Sequence, residues 1–272
     1  MARADAAGPM TQSKRVTLIT GASGGIGAEL AKVCAADGKA LALVARDGDK
    51  MSSLARAIGK QGGSTPIVIP LDLASPSAAD ELVVALARLG ATPEILINNA
   101  GYGLLGAARE LDVAEQLGII DLNIRALSAL TLRFLPDLVA NRGRILNVAS
   151  VAAFLPGPGM AIYYASKAYV LSFSQALSEE LKRAGVSVTA LCPGPVHTGF
   201  GARAGTRKDM AGGSLVVDVT EVAEYGYRAM MAGKRVAIPG RLNRIIATVV
   251  PMIPAALKLP ILAGIQMRRQ AR

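Results

Sequence analysis

Three residues of this chain could together move a proton to or from a carbonyl oxygen. Tyr163 and Lys167 have Y-x-x-x-K spacing in a segment with helical periodicity, so their side chains share one helix face. Ser150 lies upstream of them, at the end of the apolar run RILNVAS, which is typical of a buried strand. A converging phenol, ammonium and hydroxyl predict carbonyl/alcohol redox chemistry, provided that a hydride carrier also binds.

The hydride carrier is expected at a glycine turn near the N-terminus. The segment RVTLITGASGGIGAELAKV predicts a strand, a turn and a helix, with Gly21, Gly25 and Gly27 in G-x-x-x-G-x-G spacing. Glycine permits positive φ and lets backbone N–H groups approach a phosphate, and a helix N-terminus favours a pyrophosphate. The strand–turn–helix context therefore predicts a dinucleotide site rather than a tight turn without a ligand.

Strand and helix patterns alternate along the chain, and continuous apolar runs such as LALVA predict strands buried on both faces. This alternation predicts an α/β fold, a doubly wound parallel β-sheet in a single domain, with the ligand beyond the carboxyl ends of the strands. We predict strands at 16–20, 40–45, 66–71, 94–98, 143–149, 186–192 and 235–238, and helices at 25–37, 48–60, 75–89, 112–134, 161–184 and 220–232.

Taken together, these segments resemble the short-chain dehydrogenase/reductase family, in its single-domain branch, over about residues 14–240. The resemblance implies a Rossmann fold of about seven strands in the order 3-2-1-4-5-6-7. The motifs that carry it are TGASGGIG at 20–27, PLDL around Asp72, NNAG at 98–101, DLNIRAL around Asn123, the set Ser150, Tyr163 and Lys167, and PGPVHT at 193–198.

The resemblance also implies roles for individual residues. Ser150, Tyr163, Lys167 and Asn123 would be catalytic, with Lys167 also on the nicotinamide ribose and Asn123 holding a water for a proton relay. The alternative for Asn123 is a helix-interior amide that satisfies nearby backbone groups. The implied cofactor-binding set is Gly21, Ser23, Gly25, Ile26, Gly27, Arg46, Asp72, Leu73, Asn99, Ala100, Gly101, Tyr163, Lys167, Pro193, Val196 and Thr198.

The end of the second predicted strand indicates which nicotinamide nucleotide binds. In LALVARDGD no acidic side chain closes the strand; Ala45 stands there and Arg46 follows. An arginine suits a 2′-phosphate through charge-assisted hydrogen bonds, which predicts NADP(H). Asp47 and Asp49 are expected to open the next helix, where the dipole favours acids. The prediction rests on Arg46 alone, because Gly24 stands where many NADP-preferring relatives carry a basic residue.

A free tyrosine has a pKa of about 10, so a base at neutral pH needs its anion stabilised by roughly 4 kcal/mol. Lys167 would supply one positive charge and an oxidised nicotinamide another. Tyr163 would then act as general acid in reduction and as general base in oxidation, while Ser150 holds the substrate oxygen. Tyr164 points about 100° away around the helix and is expected to pack.

The composition argues against several classes of function. The chain has 272 residues, is 51% hydrophobic, and suits one large ordered domain. It has 4% aromatic residues and no Trp, which argues against a nucleic-acid stacking platform. One histidine, His197, and two cysteines, Cys34 and Cys192, predict no metal cluster and no disulfide. Residues 1–13 form a leader without a signal-peptide core, so we expect a cytoplasmic protein.

The C-terminal extension, residues 241–272, is basic and apolar. No acidic residue follows Glu224, and the last 48 residues hold nine basic ones out of a net charge of +10. Residues 245–265 are apolar and long enough to span a bilayer, but Pro251, Pro254 and Pro260 argue against a regular spanning helix. The extension could pack on the domain or a sister subunit, lie peripherally at a membrane surface, or contact an acidic partner.

The substrate is expected to be a small apolar ketone, aldehyde or 3-oxoacyl group, or the corresponding alcohol. By resemblance, the glycine-rich segment 199–219 covers it as a mobile lid, and the helices at 112–134 and 161–184 form a homodimer or homotetramer. Rival interpretations are a nicotinamide-binding regulator without turnover and a membrane-associated scaffold. Apolar pocket candidates, each with ordinary packing as its alternative, are Tyr102, Leu104, Leu155, Pro156 and Met160.

Overall fold

The computed structural model describes residues 13–205 and 216–269. Three predictions fall partly outside these ranges, one of them the C-terminal extension, whose residues 270–272 are not described. The leader predicted at 1–13 lies outside the described residues except for Ser13, and so does the middle of the predicted lid, residues 206–215.

Seven parallel strands form one sheet in the order β3-β2-β1-β4-β5-β6-β7, which confirms the predicted α/β fold. The strand LALVA is buried along its whole length, as a strand covered on both faces must be. The strands are β1 (Lys14–Thr20), β2 (Leu41–Ala45), β3 (Ile67–Pro70), β4 (Ala91–Asn98), β5 (Arg144–Val148), β6 (Ser187–Leu191) and β7 (Val236–Ala237).

Helices cover both faces of the sheet, and each face has its own apolar core. On one face α1, α2 and α8 contribute Leu30, Met51 and Met230; on the other α3 and α5 contribute Leu82 and Phe134. The helices are α1 (Gly25–Ala36), α2 (Gly48–Lys60), α3 (Ala78–Arg88), α4 (Val113–Ile120), α5 (Leu127–Ala140), α6 (Ala161–Glu180), α7 (Gly199–Ala204), α8 (Val219–Met231), α9 (Arg241–Val249) and α10 (Ala255–Arg269).

The helix predicted at 112–134 differs most from its prediction. It runs from α4 through a π-helical turn, Asp121–Ala126, into α5, and it continues past Pro136 to Ala140. A proline inside a helix removes one backbone hydrogen bond to the residue four positions earlier. That residue is Leu132, which is exposed, so water can satisfy its carbonyl oxygen. The π-helical turn carries Asn123.

The apolar C-terminal segment is interrupted, as its prolines predicted. A short 3₁₀ turn at 250–252 separates α9 from α10, while Pro260 is accommodated inside α10. Within the described ranges, no helix combines the length and hydropathy that crossing a bilayer requires. Asn243 and Ala247 are buried and attach α9 to the domain, with Asn243 Nδ2 donating to the Pro239 carbonyl at 3.1 Å.

Candidate active site

The carboxyl edge of the sheet bounds a cleft of about 960 Å³. The loops that follow β1 to β6 all contribute to its walls, as a doubly wound sheet requires. Every predicted catalytic or cofactor-binding residue lines this cleft except Gly27 and Asn123, which lie behind its wall. His197 is exposed on the loop after β6.

The glycine turn after β1 has a shape that only glycine can take. Gly21 and Gly25 have φ of +65° and +55°, in the left-handed region. A Cβ on Gly27 would lie 2.4 Å from the carbonyl oxygen of Gly21, and one on Gly25 would lie 3.2 Å from Cγ2 of Thr198. The turn therefore passes close to the loop after β6, and both loops line the cleft; the part of the cleft beside them is called the channel below.

The N-terminus of α1 opens into this channel. Its N-cap residue is Gly24, which has no side chain, and no acidic residue stands in the first turn. The first N–H groups of a helix have no intrahelical partner, and the helix dipole makes this end positive. The channel thus offers backbone donors and a positive field to a pyrophosphate, so the donor set fits a dinucleotide.

The loop after β4 is fastened to the glycine turn by side-chain hydrogen bonds. Thr20 Oγ1 accepts from the backbone N–H groups of Asn99 and Ala100 at 3.0 and 3.1 Å. Asn99 Nδ2 donates to the carbonyl oxygens of Thr20 and Gly21 at 2.9 and 3.1 Å. These four bonds join the loop after β1 to the loop after β4. The strand order changes direction between β1 and β4, and the dinucleotide is expected to bind there.

The far end of the cleft carries two cations. Arg46 is exposed at the end of β2, and Lys50 follows one helical turn later on the cleft wall. Asp47 caps α2 as predicted: it accepts from the Lys50 N–H at 3.0 Å and pairs with Lys50 Nζ at 2.8 Å. These hydrogen bonds from Lys50 lower the pKa of Asp47. Asp72 also lines the cleft, and its Oδ1 accepts from the Ala74 N–H at 3.1 Å.

Tyr163, Ser150 and Lys167 come together at the middle of the cleft. The Tyr163 phenol is buried next to the Ser150 side chain, whose Oγ donates to the Pro193 carbonyl at 3.4 Å. Ser150 Oγ also accepts from the Ala152 N–H at 3.1 Å, which fixes the hydroxyl at the end of β5. Lys167 Nζ donates to the Val148 carbonyl at 2.8 Å and lies 5.9 Å from the centroid of the Tyr163 ring. The arrangement can donate a proton and a hydrogen bond to one oxygen atom.

Burial dominates the electrostatics of this group. It raises the pKa of Tyr163 well above its ordinary value, and the Ser150 side chain lowers that pKa only in part. Burial also lowers the pKa of Lys167 to about 8, against a smaller opposing effect of Cys192. The expected lowering of the phenol pKa by Lys167 is therefore not produced by the described residues alone. A lower value requires further positive charge in the cleft.

The Asn123 amide is engaged with protein groups. Its Nδ2 donates to the Tyr102 carbonyl and to Ser166 Oγ, both at 3.0 Å, and its Oδ1 accepts from the Tyr102 N–H at 3.1 Å. This is the arrangement that the alternative interpretation, a helix-interior amide bonded to nearby backbone, describes. A Cβ on Gly101 would lie 2.9 Å from Asn123 Oδ1, so the π-helical turn supports the cleft wall from behind.

Tyr164 packs as predicted: a Cβ on Gly157 would lie 2.2 Å from its Cγ, so the ring lies directly on the backbone. Tyr164 also lines the cleft beside Tyr163, which the sequence did not predict. Gln266 of α10 also lines the cleft, and its Nε2 donates to Tyr164 Oη at 2.7 Å. Sequence spacing contains no signal for this pair, because the two residues are far apart in the chain.

The apolar part of the cleft differs in detail from the expected pocket. Tyr102 and Met160 line it as predicted, and Leu104 lines a separate cavity of about 50 Å³. Phe200 of α7 packs against Tyr163, with ring centroids 5.3 Å apart. Two expected pocket residues, Leu155 and Pro156, do not line either cavity.

Known proteins are similar to this chain in sequence and in fold. The profile of the short chain dehydrogenase family matches residues 15–209. An uncharacterized oxidoreductase of Staphylococcus epidermidis is 33% identical over 187 residues, which is 68% of this chain and 79% of that protein.

Two solved structures resemble nearly the whole chain. A short-chain dehydrogenase from Sphingobium yanoikuyae in complex with NADPH has a TM-score of 0.76 at 32% identity, covering 95% of this chain and 98% of its own. A bulky-bulky ketone specific alcohol dehydrogenase from Comamonas testosteroni has a TM-score of 0.72 at 30% identity, covering 96% and 97%.

Lys167→Met should remove a pH dependence of stability. Below about pH 8 the lysine is protonated in the folded and the unfolded protein alike. Between that pH and its ordinary value of 10.5, the unfolded state binds the extra proton, so stability rises with pH. Urea unfolding measures the free energy of unfolding of both proteins. From pH 7 to pH 10, the value for the native protein should rise by about 2 kcal/mol relative to the value for Lys167→Met.

Lys60→Met removes an exposed lysine and is the control for the loss of one positive charge. A difference between native protein and Lys167→Met that stays constant from pH 8 to pH 10 would contradict the buried state of the ammonium.

Proposed function

Because the chain belongs to the short-chain dehydrogenase family, we propose that it interconverts an apolar ketone, aldehyde or 3-oxoacyl group and its alcohol with NADP(H). It is an oxidoreductase with a nucleotide-binding Rossmann fold. The observation that carries the finer proposal is the contact between the Tyr163 phenol and Ser150, in a cleft that continues to the glycine turn.

In this proposal each residue of the site has one task. A bound nicotinamide supplies or takes up the hydride. Ser150 donates a hydrogen bond to the substrate oxygen, and Tyr163 gives that oxygen its proton in reduction and removes it in oxidation. Lys167 is held by the Val148 carbonyl, and with a pKa of about 8 it carries its charge at neutral pH. Its charge favours the phenolate.

Arg46 and Lys50 support the preference for NADP(H). Both are exposed cations on the cleft wall at the end of β2, where the adenosine ribose of a dinucleotide is expected. Asp47, the nearest carboxylate, is committed to the α2 N-cap and to Lys50, which removes it as a ribose acceptor. NADPH in the Sphingobium yanoikuyae structure supports the same assignment.

The substrate end of the cleft favours a bulky apolar ketone. Leu105, Met160 and Phe200 stand on the wall beside Tyr163. A cleft of about 960 Å³ can hold a dinucleotide and still leave room for a second molecule. The bulky-bulky ketone specificity named for the Comamonas testosteroni relative supports this substrate class. The presence of Ser150, Tyr163 and Lys167 together argues against the rival regulator, because a binding protein without turnover does not need all three.

Exposed apolar side chains support the homodimer or homotetramer expected from the resemblance. Val113, Leu117 and Ile120 are exposed on α4, and Leu132 on α5. All four residues lie in the first of the two segments, 112–134 and 161–184, through which subunits would associate. Burying such side chains between copies of the chain stabilises an assembly.

A second proposal concerns location: the outer face of the C-terminal extension lies on an anionic membrane surface. This face comprises apolar side chains that are exposed on α9 and α10 and in the turn between them. The absence of acids after Glu224 makes the charge around it positive, which suits lipid phosphates. The apolar residues are Leu242, Ile245, Val249, Met252, Ile253, Leu257, Ile261 and Ile265.

Tyr163→Phe should abolish reduction. The variant keeps the ring packed against Phe200 but loses the proton donor, so kcat/KM for NADPH-dependent reduction of deoxybenzoin should fall at least about 100-fold. Tyr169→Phe, on the same helix but half exposed and hydrogen-bonded to Ser128, is the matched control and should retain activity. Native-like turnover by Tyr163→Phe would refute the catalytic role of the phenol, and a native chain that consumes no NADPH would favour the regulator.

Arg46→Asp should reverse the cofactor preference. The new carboxylate repels a 2′-phosphate and accepts from a ribose hydroxyl, so the ratio of kcat/KM for NADPH to that for NADH should fall at least about tenfold. Arg56→Asp, on the exposed side of α2, makes the same charge change away from the cleft wall. An unchanged ratio in Arg46→Asp means that the NADP(H) assignment is wrong.

Leu257→Glu together with Ile261→Glu should release the protein from anionic vesicles. Co-sedimentation with vesicles of phosphatidylserine and phosphatidylcholine measures this, and the native chain should pellet with them at low salt. Leu89→Glu, an exposed leucine in the loop after α3, is the control. A native chain that stays in the supernatant overturns the membrane proposal. A change of oligomeric state in the double variant instead assigns the face to a second copy.

A further inference from the structure

Helix α10 has an unusual distribution of polarity. Leu257 and Ile261 are 63% and 64% exposed on its outer side, whereas Gln266 is only 4% exposed on the side that meets the domain. Burying a glutamine amide is unfavourable unless hydrogen bonds replace those it makes with water. The inward position of Gln266 therefore needs a reason in the groups that surround it.

The Gln266 amide is satisfied on one side only. Its Nε2 donates to Tyr164 Oη at 2.7 Å. Its Oε1 is buried and has no hydrogen-bond partner among the described residues. Buried side-chain oxygens in native proteins nearly always have a partner, supplied by protein, water or ligand. Among residues 13–205 and 216–269 this acceptor is left open, so a ligand can supply its donor.

The amide lies in the wall of the proposed active site. Gln266 and Tyr164 both line the large cleft, and the Tyr164 ring meets that of Tyr163 edge-on, with centroids 6.0 Å apart. Gly159 lies beside the contact, since a Cβ built there would lie 3.5 Å from the Gln266 Cβ, an ordinary van der Waals distance. The Tyr164 ring therefore lies between the Gln266 amide and Tyr163, the proposed proton donor to the substrate oxygen.

The neighbouring cleft wall is apolar. Leu105, Met160 and Phe200 give shape but no hydrogen bonds from their side chains. One fixed polar group in an apolar wall orients a ligand, and it discriminates against ligands that leave it unpaired.

We propose that Gln266 forms a hydrogen-bonding subsite for the substrate, in which Oε1 accepts from a hydroxyl or N–H group remote from the reacting carbonyl. The inference rests on the proposed function, because it assumes that the apolar end of the cleft holds a carbonyl compound. It gives the C-terminal extension a part in specificity: α10 closes the substrate end and selects apolar ketones that carry one additional donor.

Binding of matched ketones tests the subsite. Deoxybenzoin and its derivatives with one hydroxyl on the ring remote from the carbonyl, meta or para, are titrated calorimetrically into the NADPH-loaded protein under anaerobic conditions. The first minutes of each titration are also followed at 340 nm, which reports turnover separately. At least one hydroxylated ketone should bind about tenfold more tightly than deoxybenzoin.

Two substitutions at the same position isolate the oxygen. Gln266→Met keeps the length but has no comparable acceptor, so the preference for the hydroxyl should disappear. Gln266→Glu keeps an oxygen and should retain the preference, a rescue that a purely structural role for the side chain does not predict. Thermal melting checks folding; if Gln266→Met melts early, the affinity ratio of Gln266→Ala is compared in its place.

The outcomes separate this proposal from the proposed function. Equal affinities for all ketones in the native protein, or a preference that survives in Gln266→Met, would overturn the subsite and show that Oε1 is satisfied by water alone. Discriminating binding without a decrease at 340 nm supports the subsite while the reductase assignment fails. Turnover without a preference among the ketones supports the reductase assignment and overturns the subsite.

Discussion

Burial of the Tyr163 phenol beside the Lys167 ammonium is the constraint on which this site depends. Removal from water disfavours both charged forms: it raises the pKa of the phenol and lowers that of the ammonium to about 8. The chain by itself therefore keeps the phenol protonated at neutral pH, the state that donates a proton in the proposed reduction. Positive charge placed in the cleft by a ligand would oppose this effect, so proton chemistry and nucleotide binding become one coupled event.

The rest of the fold positions that charge. The parallel sheet brings the loops after β1, β4, β5 and β6 to one edge, and the Thr20 and Asn99 bonds fasten two of them together. Gly21 and Gly25 leave a channel to the α1 N-terminus, so a dinucleotide held there extends toward Ser150 and Tyr163. The Val148 carbonyl prevents Lys167 from turning away.

The sequence allowed prediction of whatever depends on short-range pattern. The start of α1 at Gly25 and the Asp47 cap follow from periodicity and from residue chemistry that act within a few positions, whereas the strand order followed only from the family resemblance. The contact of Tyr164 with Gln266 could not be predicted, because it joins residues 102 positions apart through a helix whose docking no local pattern specifies. The raised phenol pKa also escaped prediction, since burial depends on the assembled domain.

The most direct test is the ionisation of Tyr163 with the oxidised nucleotide bound. Tyrosinate absorbance near 295 nm is titrated from pH 5 to pH 10 in the native protein and in Tyr163→Phe, each with and without saturating NADP⁺. The difference between the two proteins isolates one phenol. The account predicts that this phenol stays protonated throughout without nucleotide, and ionises within this pH range once NADP⁺ is bound. A difference spectrum that NADP⁺ leaves unchanged would contradict it.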